Sequence, residues 1–289
     1  MVTGFGEPCG RALTSHPMVD KVAFTGGVDT ARHVVANTAH NLAPVTLELG
    51  GKSPIVVFDD ADFEGAVNGV VAGNFGASGQ SCVAGSRVFV QSGVHEQFVD
   101  EVVRRAEAIR IGDPLADDTE MGPLATRAQR DRIEAVVAES VDQGATLYTG
   151  GCRPEGLDAG WYYRPTVLGC ADQEVRSTRV ELFGPVMSVL RFDTEDEAVA
   201  LANDTEFGLG AGIFTRDVSR VHRVARAIRS GIVWVNTYRA ISPIAPFGGF
   251  GNSGSGREAG VDAIHEFTTT KTVWINTSTE PMSNPFTMR

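Results

Sequence analysis

Four cysteines occur in the chain, and one of them stands among small residues, in Phe75-Gly76-Ala77-Ser78-Gly79-Gln80-Ser81-Cys82-Val83-Ala84-Gly85-Ser86-Arg87. A thiol flanked by Gly79, Ser81, Ala84 and Gly85 can be approached closely, because those neighbours carry almost no bulk. That is the setting a nucleophile needs, and Cys82 is expected to react faster with iodoacetamide than Cys9, Cys152 or Cys170. The bland alternative is that a free cysteine is a small buried hydrophobe. Cys170, which closes the apolar run Thr166-Val167-Leu168-Gly169, fits that description, while Cys9 and Cys152 sit in Gly/Pro-rich turns. A second chemical anchor is Val45-Thr46-Leu47-Glu48-Leu49-Gly50-Gly51-Lys52-Ser53-Pro54, where one carboxylate sits in an otherwise apolar strand before a glycine pair. Burial there raises the pKa of Glu48 and suits a base working near neutral pH. The alternative is a strand-end Glu whose head escapes to solvent beside the glycines.

Together the two stretches are more specific than either alone. Glu-Leu-Gly-Gly-Lys-Ser, followed 34 positions later (82 minus 48) by Cys in Gly-Gln-Ser-Cys-Val-Ala-Gly-Ser-Arg, resembles the aldehyde dehydrogenase superfamily. The resemblance implies that Cys82 is the catalytic thiol and Glu48 the general base. Glu181-Leu182-Phe183-Gly184-Pro185-Val186 resembles the family segment whose Glu binds the nicotinamide ribose and whose Phe lies against the cofactor ring. Pro246-Phe247-Gly248-Gly249 and Ser253-Gly254-Ser255-Gly256-Arg257-Glu258 resemble its C-terminal signature. The turn Gly26-Gly27-Val28-Asp29-Thr30-Ala31 reads by itself as an ordinary tight βα turn, with backbone N–H groups free to meet a phosphate. By resemblance it is the pyrophosphate-contacting turn, although family members often carry Ser at Gly27 and Gly at Ala31. Gly26, Gly27, Leu49, Gly50, Glu181 and Phe183 are thus the implied cofactor residues, for NAD or NADP.

The implied mechanism is covalent: thiolate attack on a small aldehyde, hydride loss to nicotinamide, and hydrolysis of the thioester by water that Glu48 activates. Relatives that pass the acyl group to coenzyme A often lack this base, so Glu48 favours a free carboxylic acid as product. The implied fold is α/β and aldehyde dehydrogenase-like, a remnant of a Rossmann-type domain followed by a complete α/β catalytic domain. On this reading residues 1–50 are the remnant, 51–250 the thiol-bearing domain, and 251–289 a C-terminal helix, oligomerisation strand and tail. A full family member begins before Met1, so the chain is expected to be an incomplete form, binding nucleotide poorly, without the Asn of the oxyanion hole, and leaving Val22, Phe24, Val45 and Leu47 uncovered. A homo-oligomer is implied for the full-length form.

Composition narrows the remaining classes. The 289 residues carry 36 Asp and Glu against 25 Lys and Arg, a net charge of −11, with no basic run. That balance argues against nucleic acid or an anionic membrane surface as partner. No apolar stretch approaches membrane-spanning length. The cysteines lack CxxC or Cys/His spacing, which argues against a zinc site, and a thiol that must stay reduced points to the cytoplasm.

Periodicity supplies the elements. The pattern predicts a short helix after Gly6, a strand at 21–25, a helix over 28–40 and a strand ending at Leu49, the grammar of a βαβ unit. A second unit follows: strand 54–58, a helix through Phe63, Val67 and Val70, the Cys82 loop, strand 87–90, and two amphipathic helices. On the second of these, starting at Arg127, Gln129, Arg130 and Glu134 read as a solvated face. A surface hairpin between Gly144 and Gly160 leads to a strand at 161–167. Strands at 186–192, 212–215 and 232–236 alternate with helices at 195–203 and 218–228. Residues 237–245 correspond to a family loop at the substrate entrance, followed by a helix at 257–265 and a strand at 271–276. Two other readings fit the same residues: a non-catalytic remnant associating with full-length subunits, and a thiol esterase that uses Cys82 and Glu48 without nucleotide.

Overall fold

A computed structural model describes residues 1–287 and contains two sheets that meet at Gly50-Gly51. In chain order the first sheet is built by α1 (Arg11–Thr14), β1 (Val22–Thr25), α2 (Val28–Thr38) and β2 (Val45–Glu48). The second begins with β3 (Pro54–Val57), α3 (Phe63–Phe75), β4 (Arg87–Gln91), α4 (His95–Ala108), α5 (Arg127–Asp142), β5 (Thr146–Thr149) and β6 (Thr166–Gly169). It continues through α6 (Arg176–Arg179), β7 (Val186–Phe192), α7 (Glu195–Asn203), β8 (Gly210–Phe214), α8 (Val218–Ala227) and β9 (Ile232–Val235), before β10 (Gly254–Ser255) and α9 (Ala263–Glu266).

The larger sheet runs β5-β6-β7-β4-β3-β8-β9, parallel throughout except for the β5–β6 pair. Its central strands read as unbroken apolar runs because helices cover both faces. Alternation divides their side chains: Val56, Phe89, Leu190 and Ile213 enter one core, and Ile55, Val57, Val88 and Val189 the other. Parallel pairing also puts the N-terminal ends of β3, β4, β6, β7, β8 and β9 at one edge. Lys52-Ser53 before β3, Cys82 to Ser86 before β4, Glu181 to Pro185 before β7 and Leu209 before β8 therefore converge, although they are scattered in sequence.

The smaller sheet is β1-β2-β10, with β2 in the middle. β1 pairs parallel with β2, Thr25 opposite Glu48, while β10 pairs antiparallel, Gly254 opposite Glu48. The expectation of an uncovered sheet is corrected on one side by this return of the chain, while β1 keeps an unpaired outer edge among the described residues. β10 closes one edge, and Val22, Phe24, Val45 and Leu47 are half-buried.

Three further expectations are corrected. Residues 161–165 form no strand: Gly160 turns at φ +108°, and Trp161 and Arg164 bond instead to the Leu124 amide and the Cys152 carbonyl. The helix at 257–265 shrinks to α9, because Ala259 and Gly260 take φ of +58° and +64°. Residues 271–276 pair with no strand among the described residues, and Val273, Trp274 and Ile275 lie exposed. A strand is defined by its partner, so this segment has no strand to be within one chain.

Candidate active site

β2 sends alternate side chains inward, and the strand's alternation buries Thr46 and Glu48. Glu48 is 4 % exposed and neither carboxylate oxygen has a protein hydrogen-bond partner. Burial pushes its pKa up to about 7, with Glu258 adding to the rise and Arg257 opposing it. The C-terminal signature packs directly on it. Gly248, at φ +149°, has no room for a side chain: a Cβ there would stand 2.8 Å from the Gly256 carbonyl and 2.9 Å from Glu48 Oε1.

The thiol loop reaches Cys82 through a strained approach. α3 ends at Phe75, then Ala77 and Ser78 both adopt left-handed φ of +56° and +55°, each costing on the order of 1–3 kcal/mol. Tertiary bonds hold them: Ser78 Oγ donates to the Gly122 carbonyl at 3.0 Å, and Gln80 Oε1 accepts from the Ala125 amide at 2.9 Å. Gly79 packs on the Gly184 backbone too tightly for any side chain. Cys82 itself is half-buried and packs on the cluster of Val83, Leu209 and Trp234, as Tyr238 and Phe247 also do. Burial raises its pKa, and the charges of Glu181 and Glu48 raise it further, while backbone hydrogen bonds lower it. Cys152 is exposed and Cys170 buried. The expected order of thiol reactivity thus meets an exposed competitor in Cys152, and labelling rates decide between the two.

Gly50-Gly51 is the crossing point of the site. The Gly51 amide donates to Glu181 Oε1 at 3.2 Å, and Ser253 Oγ donates to the Gly50 carbonyl at 2.7 Å. A Cβ on Gly50 would fall inside the Glu181 carboxylate, and one on Gly51 would stand 2.8 Å from the Cys82 carbonyl. Burial raises the pKa of Glu181 against the opposing Gly51 bond and the Lys52 charge. The loop carrying Glu181 and Phe183 is held by α5: Gln129 Nε2 donates to the Leu182 and Phe183 carbonyls, and Arg132 to the Glu181 carbonyl at 2.9 Å. Arg130 is buried against the Trp161 ring. The solvated face expected at Gln129, Arg130 and Glu134 is thus corrected. Phe183 is 41 % exposed at φ +49°, presenting its ring to solvent.

The sequence alone did not single out Lys52 and Arg87. Lys52 is 1 % exposed, and burial brings its pKa down to about 7. Arg87, fully buried, donates to the Lys52 carbonyl at 2.8 Å, to Gln173, and to the Leu201 and Ala202 carbonyls ending α7. A charged residue opening an apolar strand at Arg87 was the available signal.

A cleft of about 480 Å³ joins the βα turn to this centre, lined by Gly27, Val28, Thr30, Arg132, Glu181 and Phe207 among others. Gly27 caps α2 without a side-chain acceptor, so the first helical amides have no side-chain partner. Leu49 is buried and its amide donates to the Ser253 carbonyl.

The sequence matches the aldehyde dehydrogenase family over residues 1–273. The chain belongs to that family. It is 52 % identical over 290 residues to (Z)-2-((N-methylformamido)methylene)-5-hydroxybutyrolactone dehydrogenase of Acinetobacter baylyi, covering 100 % of this chain and 59 % of that protein. It is 47 % identical over 277 residues to a betaine aldehyde dehydrogenase of Brucella anthropi, covering 95 % of this chain and 57 % of the relative. Among solved structures, a betaine aldehyde dehydrogenase variant from Staphylococcus aureus in complex with NAD+ superposes with a TM-score of 0.95 at 39 % identity, covering 99 % of this chain and 58 % of that one. The chain therefore spans under two thirds of the length of these relatives, and its α/β fold is that of an aldehyde dehydrogenase. Among the described residues of this aldehyde dehydrogenase chain, no group of three or more His, Cys, Asp or Glu could hold a metal ion, and no helix is long and apolar enough to cross a membrane.

Proposed function

We propose that this chain carries the thiol and base of an enzyme that oxidises a small aldehyde to the carboxylic acid with NAD or NADP. One observation carries the reading. Glu48 and Cys82 come from different sheets, yet Glu48 lies near enough for its charge to act on the Cys82 thiol, with both carboxylate oxygens unpartnered. Burying a carboxyl without a protein partner is costly, and groups held at that cost cluster at functional sites.

In the proposed sequence Cys82 gives its proton to solvent and adds as thiolate to the aldehyde carbon, forming a C–S bond while the carbonyl electron pair moves to oxygen. The Cys82 backbone N–H offers that oxygen one donor. A bound nicotinamide ring supplies the hydride acceptor that takes the adduct to the thioester. Glu48 then removes a proton from water, the hydroxide adds to the thioester carbon, and Cys82 leaves as thiolate. The residues present fit the cofactor. The α2 amides and Gly26-Gly27 suit a pyrophosphate, Glu181 beside the bare Gly50 suits a ribose, and Leu49 and the outward ring of Phe183 supply apolar contact.

The division at Gly50-Gly51 into a cofactor-side sheet and a thiol-bearing sheet is part of the proposal. So are a homo-oligomer using the exposed Val273–Ile275 segment and a reducing, cytoplasmic setting for the thiol. The test is incubation with an aldehyde and millimolar NAD or NADP, following nicotinamide absorbance and the intact mass. With nucleotide binding weak, the expected signal is an aldehyde adduct on Cys82 and at most slow nucleotide reduction, both absent in Cys82→Ser. No reduction with any aldehyde, and no adduct on Cys82, would overturn the reading.

A further inference from the structure

The loop after β9 carries a tyrosine that turns back into the fold. Asn236 anchors the start of the loop, donating to the Thr215 carbonyl at 2.9 Å and accepting from the Thr215 amide at 3.0 Å. Tyr238 then packs over Trp234, ring centroids 4.8 Å apart. Its ring fills a slot that glycines of three elements leave open. A Cβ on Gly73 of α3 would stand 2.7 Å from Tyr238 Cδ1, one on Gly212 of β8 2.8 Å from Cδ2, and one on Gly85 of the thiol loop 3.3 Å from Cζ. A ring hemmed in from these sides has one direction for its hydroxyl, which donates to the Val83 carbonyl at 2.9 Å.

Val83 directly follows the thiol. The Val83–Ala84 peptide is held at both ends, its oxygen by Tyr238 and its amide by the Ser81 carbonyl, to which Ala84 donates at 3.0 Å. The Val83 side chain is buried with Leu209 and Trp234. With Val83 pinned in this way, the planar Cys82–Val83 peptide has little freedom to rotate, and its carbonyl already lies against Gly51, where a Cβ would meet it at 2.8 Å. The amide of that same peptide is a backbone donor to the Cys82 sulfur, beside the amide of Cys82 itself. Such bonds favour the thiolate. The charges facing the thiol, Glu181 from the loop before β7 and Glu48 from β2, both oppose its ionisation. Tyr238 faces it from the loop after β9. Burial holds the Tyr238 pKa above its ordinary value against the charge of Arg239, so its hydroxyl stays a donor while the thiol titrates.

We infer that Tyr238 is a positioning residue for the nucleophile: by holding the Val83 carbonyl, its hydroxyl keeps the Val83 amide directed at the Cys82 sulfur. The inference rests on Cys82 being the reacting thiol of the aldehyde reading above. Tyr238 acts through Val83 and needs no contact with substrate. Two carboxylates hold the proton on the sulfur, backbone donors help release it, and one of those donors is oriented by a single side-chain hydroxyl. Loss of a hydrogen bond of this kind changes an equilibrium by about threefold to tenfold.

Tyr238→Phe removes the hydroxyl and leaves the ring in its slot. Alkylation of each cysteine by iodoacetamide, without nucleotide or aldehyde, is followed by peptide mass mapping across the pH range in the parent chain and the variant. Where Cys82 is still mostly protonated its rate is expected to fall by about threefold to tenfold in the variant, its profile moving to higher pH. Exposed Cys152 should keep both its rate and its profile. An unchanged Cys82 profile in Tyr238→Phe overturns the inference. Faster labelling of Cys82 together with buried Cys170 overturns it as well, since the hydroxyl would then serve the fold alone. Absence of any aldehyde adduct on Cys82 in the parent chain overturns the aldehyde reading instead, and is distinguishable because the alkylation profiles are measured without aldehyde.

Discussion

Gly248 stands against Glu48 so closely that a Cβ would meet the carboxylate oxygen at 2.9 Å, and its φ of +149° admits no other residue without strain. The C-terminal signature therefore packs against the base and offers its carboxylate oxygens no hydrogen bond. Gly248→Ala is expected to push Glu48 aside and destabilise the chain by about 1–3 kcal/mol. Chemical denaturation would show it, and unchanged stability would mean that the segment is free to move away.

Glu48→Gln should separate two chemical steps. Acyl adduct on Cys82 still forms, while its hydrolysis slows by about 10²- to 10⁴-fold because water has lost its base. Intact mass after mixing with aldehyde and millimolar nucleotide would show a persistent thioester. In the unaltered chain hydrolysis rises with pH through about 7, where Glu48 ionises. Equal loss of both steps would assign Glu48 to thiol activation instead.

The same carboxyl makes a stability prediction of opposite sense. Its folded pKa of about 7 lies above the ordinary carboxyl value of 4.5, so between those pH values the folded state holds a proton that the unfolded state has released. Its contribution to stability is thus greatest below pH 4.5 and falls as pH rises, by about 3 kcal/mol once pH exceeds 7. Glu48→Gln, which cannot ionise, should gain stability over the parent at pH 8 and little at pH 4.5. Thermal melts of the two proteins at both pH values decide it.

Arg87 is a structural cation whose removal leaves buried acceptors bare. Arg87→Met strips donors from the Lys52 and Ala202 carbonyls, while the Leu201 carbonyl keeps Gln173 Nε2, and the expected loss is about 1–3 kcal/mol for each acceptor left bare that water cannot reach. A variant as stable as the parent in urea would show that water replaces the guanidinium.

Thiol labelling gives the last prediction. Exposed Cys152 and half-buried Cys82 should both react with iodoacetamide, and buried Cys170 should lag well behind both. The rate at Cys82 should climb with pH beyond the ordinary thiol range, because burial and two carboxylates hold its pKa up. Peptide mapping from pH 7 to pH 10 would reveal a Cys82 that is already fully reactive at neutral pH, and that outcome would contradict the electrostatics.

Much of this protein could be read from local pattern. Apolar runs at 54–57, 186–192 and 210–214 are buried strands because each is covered on both faces, a property that composition records. Glu48 inside an apolar strand and Cys82 among small residues were legible for the same reason, since cost and access are written into immediate neighbours. Tertiary structure decided what depends on partners far away in sequence. Ala77 and Ser78 are left-handed only because Gly122 and Ala125 hold the loop; nothing in their side chains asks for it. Gln129 looked like a surface residue until β7 brought the carbonyls of Leu182 and Phe183 beneath α5. Residues 271–276 have strand composition and no strand, because pairing requires a second edge that a single chain does not supply.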